Sequence, residues 1–220
     1  MTPKTKTLAT TAVFAVLVAL FFAPVSVPCK VVFPVASLFV ASIGLNAWQI
    51  CVALLFSVLG DWFGNTGEFL PQVGAFAVAQ VFYIWFFIKR YLLKVERDRK
   101  LTAKAKGYLF MLLVCVVGML VMVLVKIIPA APAGIIRIGI SIYAVLILLM
   151  LITAMLQRST LYALGGALFV FSDFILAWSR FVEPVPYAIY ILMASYYLAQ
   201  WLLFVRSTPY RIASLRPFRF

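Results

Sequence analysis

The chain has 220 residues, 66% of them hydrophobic and 11% charged, against about 45–50% and about 25% in a soluble domain. One core cannot hide that much apolar surface in a chain of this length, so a soluble enzyme, a disordered chain and a disulfide-rich secreted module are excluded and a polytopic membrane protein remains. The net charge of +13, from 19 Lys and Arg against 6 Asp and Glu, falls mostly in short connections and tails, where positive-inside topology accounts for it without nucleic acid.

A crossing helix needs about 20 mostly apolar residues. In chain order the candidate spans are roughly 8–23, 30–44, 46–63, 70–90, 107–128, 134–156, 160–181 and 187–205. The first follows Lys4 and Lys6 and ends near Ala23 and Ser26, a make-up shared with signal peptides, whose removal would leave seven helices. The second is short and is separated from the third by Gly44-Leu45-Asn46, which reads as a tight break. The fourth runs into a basic connection, 94–106, with Lys89 and Arg90 leading into it; its acidic members Glu96 and Asp98 read as solvated partners of the surrounding cations. Pro129 and Pro132 mark the turn after the fifth helix, and Pro184 and Pro186 the turn after the seventh. A basic tail, 206–220, closes the chain.

Charge decides the count. Eight helices put both tails, the basic connection and Arg158 on one side, which is 15 of the 19 cations, and leave Lys30, Lys126, Arg137 and Arg180 towards the other. Seven would put the two basic tails on opposite faces. The expected architecture is an all-α membrane protein, an eight-transmembrane-helix bundle forming one integral-membrane domain over 1–220. Its expected location is the inner membrane of a bacterium, with both termini cytoplasmic.

The chain also resembles itself. The third span ends in LFSVLGD, closing on Asp61, and the seventh contains LFVFSD, closing on Asp173. The spans that follow carry Ala79-Gln80 and Ala199-Gln200, and Lys30 and Arg137 stand near the starts of the second and sixth. An offset of four helices is even, so the halves 8–93 and 107–205 would insert in the same direction as two parallel four-helix repeats. Short apolar matches also arise by chance in membrane helices. A true repeat would bring Asp61 and Asp173 towards one axis.

Those two carboxylates are the acidic groups expected at membrane depth. Glu68 and Glu183 fall in turns on the outer side. A charge in a span costs at least ~2.5–3.5 kcal/mol, so it marks a site or an ion pair with Lys30, Arg137 or Arg180. Two carboxylates in a low-dielectric cavity divide their roles, one keeping a proton to donate and the other staying ionised. That division suits chemistry through an oxocarbenium ion. Ser57, one turn before Asp61, shares its helix face. Ser172, Tyr143, Tyr197, Gln80 and Gln200 add hydrogen-bonding groups, each of which serves equally as an interhelical bond. The chain has no His, which removes His bases and His metal sites. Cys29, Cys51 and Cys115 are odd in number and lie in apolar sequence, as packing residues do. No phosphate loop or zinc motif occurs, and neither metal nor organic cofactor is expected.

LFSVLGD, GAFAVAQVFY, Tyr143 with Met150, GALFVFSD and SYYLAQWL resemble, in order and spacing from about Lys30 to Leu203, the YhhN-type integral-membrane lysoplasmalogenases. The resemblance implies an eight-helix bundle that cleaves the vinyl-ether bond of lysoplasmalogen to a fatty aldehyde and a glycerophospho-base. It implies Asp61 and Asp173 as the catalytic pair, a single-chain ether phospholipid as substrate and membrane lipid as surroundings. Lys30 and Arg137 are the candidate phosphate ligands. Two departures stand out: the family often has His where this chain has Gln80, and Lys followed by Pro where Lys30 precedes Val31. Buried Asp and Gln in parallel repeats also suit a small transporter or proton-coupled carrier, and a lipid-binding relative without chemistry is the third reading.

Overall fold

The computed structural model describes residues 2–93 and 103–214. Lys94, Glu96, Arg97, Asp98, Arg99, Lys100, Arg216 and Arg219 lie outside the described residues, as do the side chains of Lys104 and Arg211. Every regular element among the described residues is a helix: α1 (Pro3–Phe22), α2 (Phe33–Leu45), α3 (Trp48–Thr66), α4 (Phe69–Leu92), α5 (Ala103–Met122), α6 (Ile135–Met155), α7 (Thr160–Phe181) and α8 (Ala188–Ser214). A π-helical stretch, Val123–Ile127, and a last turn, Ile128–Ala130, prolong α5.

The helix ends show what the apolar runs did not. α1 begins five residues earlier than hydropathy suggests because Thr2 caps it, its hydroxyl accepting from Thr5 N at 3.2 Å, with Pro3 in the first turn. Lys30 precedes α2 instead of opening it, in a turn where Cys29 takes a positive φ of 56°. α3 runs on to Thr66 and stops at Gly67, whose φ of 82° is the left-handed cap that favours glycine. Pro129 sits inside the last turn of α5 and not in the turn beyond it. Proline removes an N–H and crowds the carbonyl four residues back. The preceding turn widens accordingly, with Ile128 N–H bonding Val123 O. α8 continues past Val205 to Ser214, so the expected tail begins inside a helix.

Among the described residues, six helices are long and apolar enough to cross a membrane: α1, α4, α5 with its prolongation, α6, α7 and α8. The chain is therefore a multi-pass membrane protein, but eight crossings are not confirmed. α2 has 13 residues, about 20 Å of helix against a hydrocarbon core of about 30 Å. α3 has 19 residues, and its Gln49, Asp61 and Asn65 dilute its apolar content.

The chain divides into two compact units, Met1–Phe86 with Leu203–Phe220, and Phe87–Leu202. In the first, α1 packs on α2 and α2 on α3, around Val35, Leu38, Ile50, Ala53 and Leu54. Gly60 and Gly64 give α3 a small-residue face. A β-carbon on Gly60 would lie 2.8 Å from the Phe76 ring, and one on Gly64 2.5 Å from the Gln72 amide. That four-residue spacing of glycines lets membrane helices approach closely. The break between α2 and α3 is tied down by Asn46, whose Nδ2 donates to Phe204 O at 2.9 Å and to Ser207 Oγ.

In the second unit, α5 and α6 both pack on α7, with Val116, Leu151 and Ala167 at the centre. Arg90, counted among the solvated cations of the basic connection, is 2% exposed. Its Nε donates to Gln157 Oε1 at 3.4 Å and its guanidinium lies 5.4 Å from the Tyr162 ring centre. Gln157 Nε2 donates in turn to Phe87 O at 2.9 Å and Thr153 O at 3.1 Å. A buried guanidinium needs such partners.

Candidate functional site: a carboxylate in an apolar pocket

Asp173 lies on α7 eight residues before its last residue, Phe181, and Tyr143 lies on α6 eight residues after its first, Ile135. At 1.5 Å per residue each is about 12 Å inside its helix end. α6 and α7 pack side by side, and the Tyr143 hydroxyl donates to Asp173 Oδ2 at 2.5 Å. Ser172 Oγ lies 3.5 Å from Asp173 Oδ1, while its hydroxyl donates to Phe169 O at 2.8 Å.

The pair opens on a pocket of about 70 Å³ between α5, α6 and α7. Met119 and Val123 contribute from α5, Ile140 and Ile147 from α6, and Val170 and Ala177 from α7; the carboxyl and the phenol are the polar groups among its lining residues. The widened turn of α5 helps build it, since Val123 and Ile127 both reach the wall. The outer face of α5 is apolar and exposed at Val117, Val121 and Leu124, as a lipid-facing helix is.

Asp61 belongs to the other unit. It is buried on α3 beside Gly60. Ser57, one turn earlier, donates its hydroxyl back to Ala53 O at 2.9 Å. Gln80, on α4, is fully buried. Tyr197 and Gln200 are buried on α8. Tyr197 packs against Tyr196, ring centres 5.7 Å apart, and Tyr196 packs edge-on against Phe169 at 5.5 Å.

The two outer cations do corresponding work, each in its own unit. Lys30 Nζ donates to Ala23 O and Val25 O, both at 3.1 Å, and lies 5.7 Å from the Phe21 ring centre. Arg137 donates through Nε and Nη2 to Ala131 O at 3.1 and 2.7 Å, and through Nη2 to Pro129 O at 3.1 Å. In both cases a cation just ahead of, or early in, one helix caps carbonyls at the end of the helix before it, where unsatisfied C=O groups and the helix dipole favour positive charge. Hydropathy and motif spacing gave no hint of this use.

Among the described residues, no three His, Cys, Asp or Glu side chains gather as a metal would require. Two buried polar clusters escaped the sequence reading, Arg90 with Gln157 and Asn46 with Ser207. The first left a signal: Arg90 follows Ala79, Tyr83, Phe86 and Phe87 on one helical face, and all of these are buried.

A family model described as YhhN family matches residues 3–207. Over 187 residues the chain is 32% identical to lysoplasmalogenase TMEM86B of Mus musculus, covering 80% of this chain and 69% of that protein. Over 155 residues it is 28% identical to lysoplasmalogenase TMEM86B of Homo sapiens, covering 69% of this chain and 59% of that protein. The protein of the same name from Rattus norvegicus is 32% identical over 176 residues, with 74% and 63% covered. The chain thus spans between 59% and 69% of the length of these curated relatives. No solved structure matches it.

Proposed function

The chain belongs to the YhhN family, and from that premise we propose that it hydrolyses the vinyl-ether bond of a lysoplasmalogen within the membrane, releasing a fatty aldehyde and a glycerophospho-base. The observation that carries the reading is the Asp173 carboxyl, held by Tyr143 in an apolar pocket about 12 Å inside its helix end. A carboxyl at such depth marks function before packing, and the pocket suits a hydrocarbon chain carrying one reactive polar bond.

The reaction needs a proton donor and a proton acceptor, and no cofactor. A carboxylic acid protonates the β-carbon of O–CH=CH–R, and the ether oxygen's electrons form the oxocarbenium ion. Water adds to the α-carbon and loses a proton to the second carboxylate. The hemiacetal's bond to the glycerol oxygen then breaks as the hemiacetal hydroxyl proton passes to that oxygen, giving aldehyde and alcohol. One water is consumed; the first carboxyl ends ionised and the second protonated, and proton exchange with solvent resets both. Asp61 and Asp173 are the proposed pair. Gln80, Tyr197, Gln200, Ser57 and Ser172 support the helices that carry them. Lys30 has three N–H donors, two of them given to loop carbonyls, which leaves one for the substrate phosphate.

The same reading places both termini in the cytoplasm. Whether α2 and α3 each cross or neither does, the number of crossings is even, and the basic tails stay on the side of the basic connection.

The test is mass spectrometry of purified protein given lysoplasmalogen, with lysophospholipid and alkyl-ether controls. Aldehyde is expected from the vinyl ether alone, and Asp61→Asn and Asp173→Asn are each expected to abolish it while the protein stays folded in detergent. Full activity in both variants removes the catalytic assignment. Movement of lipid across liposomes without product would replace it with a carrier.

A further inference from the structure

Resting on the vinyl-ether reading above, we propose that the pocket between α5, α6 and α7 seats the first carbons of the alkenyl chain, that Asp173 delivers the proton to carbon there, and that Tyr143 is the positioning residue that decides which oxygen of Asp173 carries it. In O–CH=CH–R the carbon that takes the proton is the one remote from oxygen, so it already belongs to the hydrocarbon tail. Its donor must stand on the tail side, among apolar groups.

The surroundings of Asp173 meet that requirement. Asp173 opens on a pocket whose other lining residues, Tyr143 apart, are apolar. Val170 and Ala177 flank it one turn away on either side of the same helix, so a chain lying along α7 passes directly over the carboxyl. Asp173 is therefore the donor to carbon.

Tyr143 sets the orientation. Its hydroxyl donates to Oδ2, so Oδ2 is the acceptor oxygen of the neutral acid and the proton rides on Oδ1. When the proton leaves for carbon, the electron pair of the O–H bond stays on the carboxylate. The Tyr143 bond then becomes charge-assisted and stronger. That gain exists in the transition state and not in the ground state, which is what raises kcat. A fixed Oδ1–H also delivers its proton to one face of the double bond.

The test is turnover of an alkenyl lysophospholipid by the full chain in deuterium oxide, with the aldehyde trapped at once by borohydride. Wild type is expected to place one deuterium at C2 on a single face. Tyr143→Phe is expected to lower kcat roughly 10- to 100-fold, to leave KM near wild type, and to lose the facial preference, which mere loss of stability would not do. Ala177→Leu, which fills the slot beside Asp173, is expected to raise KM about 10-fold. A scrambled label in wild type, or Tyr143→Phe at wild-type kcat, overturns the donor assignment while vinyl-ether hydrolysis stands. No aldehyde from wild type overturns both hydrolysis and the donor role. The chain seat is then judged alone, by photolabelling with a single-chain lysophospholipid bearing a diazirine early in its tail. Label on α5, α6 and α7 that Ala177→Leu removes sustains the seat, and label elsewhere overturns it.

Discussion

Gly60 is the position where a single added methyl group tests the close approach of α3 and α4. Its β-carbon would sit 2.8 Å from two carbons of the Phe76 ring and 2.9 Å from a third, where ordinary contacts begin at 3.4 Å. Phe76 is buried, so the ring must move at least about 0.6 Å into filled space or α3 must draw back from α4. Overpacking of this kind costs about 1–3 kcal/mol, offset by about 1 kcal/mol of helix propensity when Ala replaces Gly. Gly74→Ala gains the propensity without the clash, because nothing lies within 4 Å of its β-carbon. The two variants should differ by about 2 kcal/mol, or roughly 4–8 °C in melting temperature for a chain of this size. Thermal unfolding in one detergent, followed by tryptophan fluorescence, measures the difference. Gly60→Ala in a Phe76→Ala background should lose most of its cost, a coupling of about 1 kcal/mol or more. Because Asp61 is the next residue, Gly60→Ala should also lower turnover more than Gly74→Ala does. Equal melting temperatures for the two single variants, or additive effects of Gly60→Ala and Phe76→Ala, would refute the close-approach argument.

Asn46→Ala removes the donor to Phe204 O and Ser207 Oγ at the α2–α3 break, and should cost about 1–2 kcal/mol, seen as a lower melting temperature. Gln157→Ala takes away the acceptor of Arg90 Nε and the donor to Phe87 O and Thr153 O. It should destabilise by about 1–3 kcal/mol, and a neutral result would show that Arg90 needs no acceptor there. Lys30→Met and Arg137→Met each uncap helix-end carbonyls and should speed proteolysis at the 23–32 and 130–135 connections respectively, read by peptide mapping. A green fluorescent protein fused after Phe220 should fluoresce in cells, as a cytoplasmic C-terminus requires, and an alkaline phosphatase fusion at the same place should be inactive.

The helical content and the two isolated carboxylates were legible because hydropathy and rare charge are strong signals in lipid. The spans found from apolar runs all coincide with helices. What the sequence hid is local and geometric. The start of α1 depends on a Thr2 hydroxyl and Pro3, which an apolar window cannot see. Pro129, which reads as part of the turn after α5, acts inside the helix and widens the turn before it, whereas Pro132 does lie in the turn beyond. The count of eight crossings included α2, already short in the sequence, and α3, and neither qualifies by length and composition among the described residues. Arg90 looked solvated because it sits beside Lys89 at a helix end, and helix phase, not composition, puts it on the buried face. At the site, Asp173 was found as an isolated charge. Its hydrogen bond from Tyr143 needed the packing of α6 on α7, which fixes a contact thirty residues apart in sequence.

Turnover of lysoplasmalogen in 18O-water follows the proposed hydrolysis bond by bond. Fatty aldehyde and a glycerophospho-base whose oxygens are all unlabelled are expected, because the glycerol oxygen leaves with the headgroup, and both products should be lost in Asp173→Asn. Heavy oxygen in the glycerophospho-base, or aldehyde release unchanged in Asp173→Asn, would contradict it.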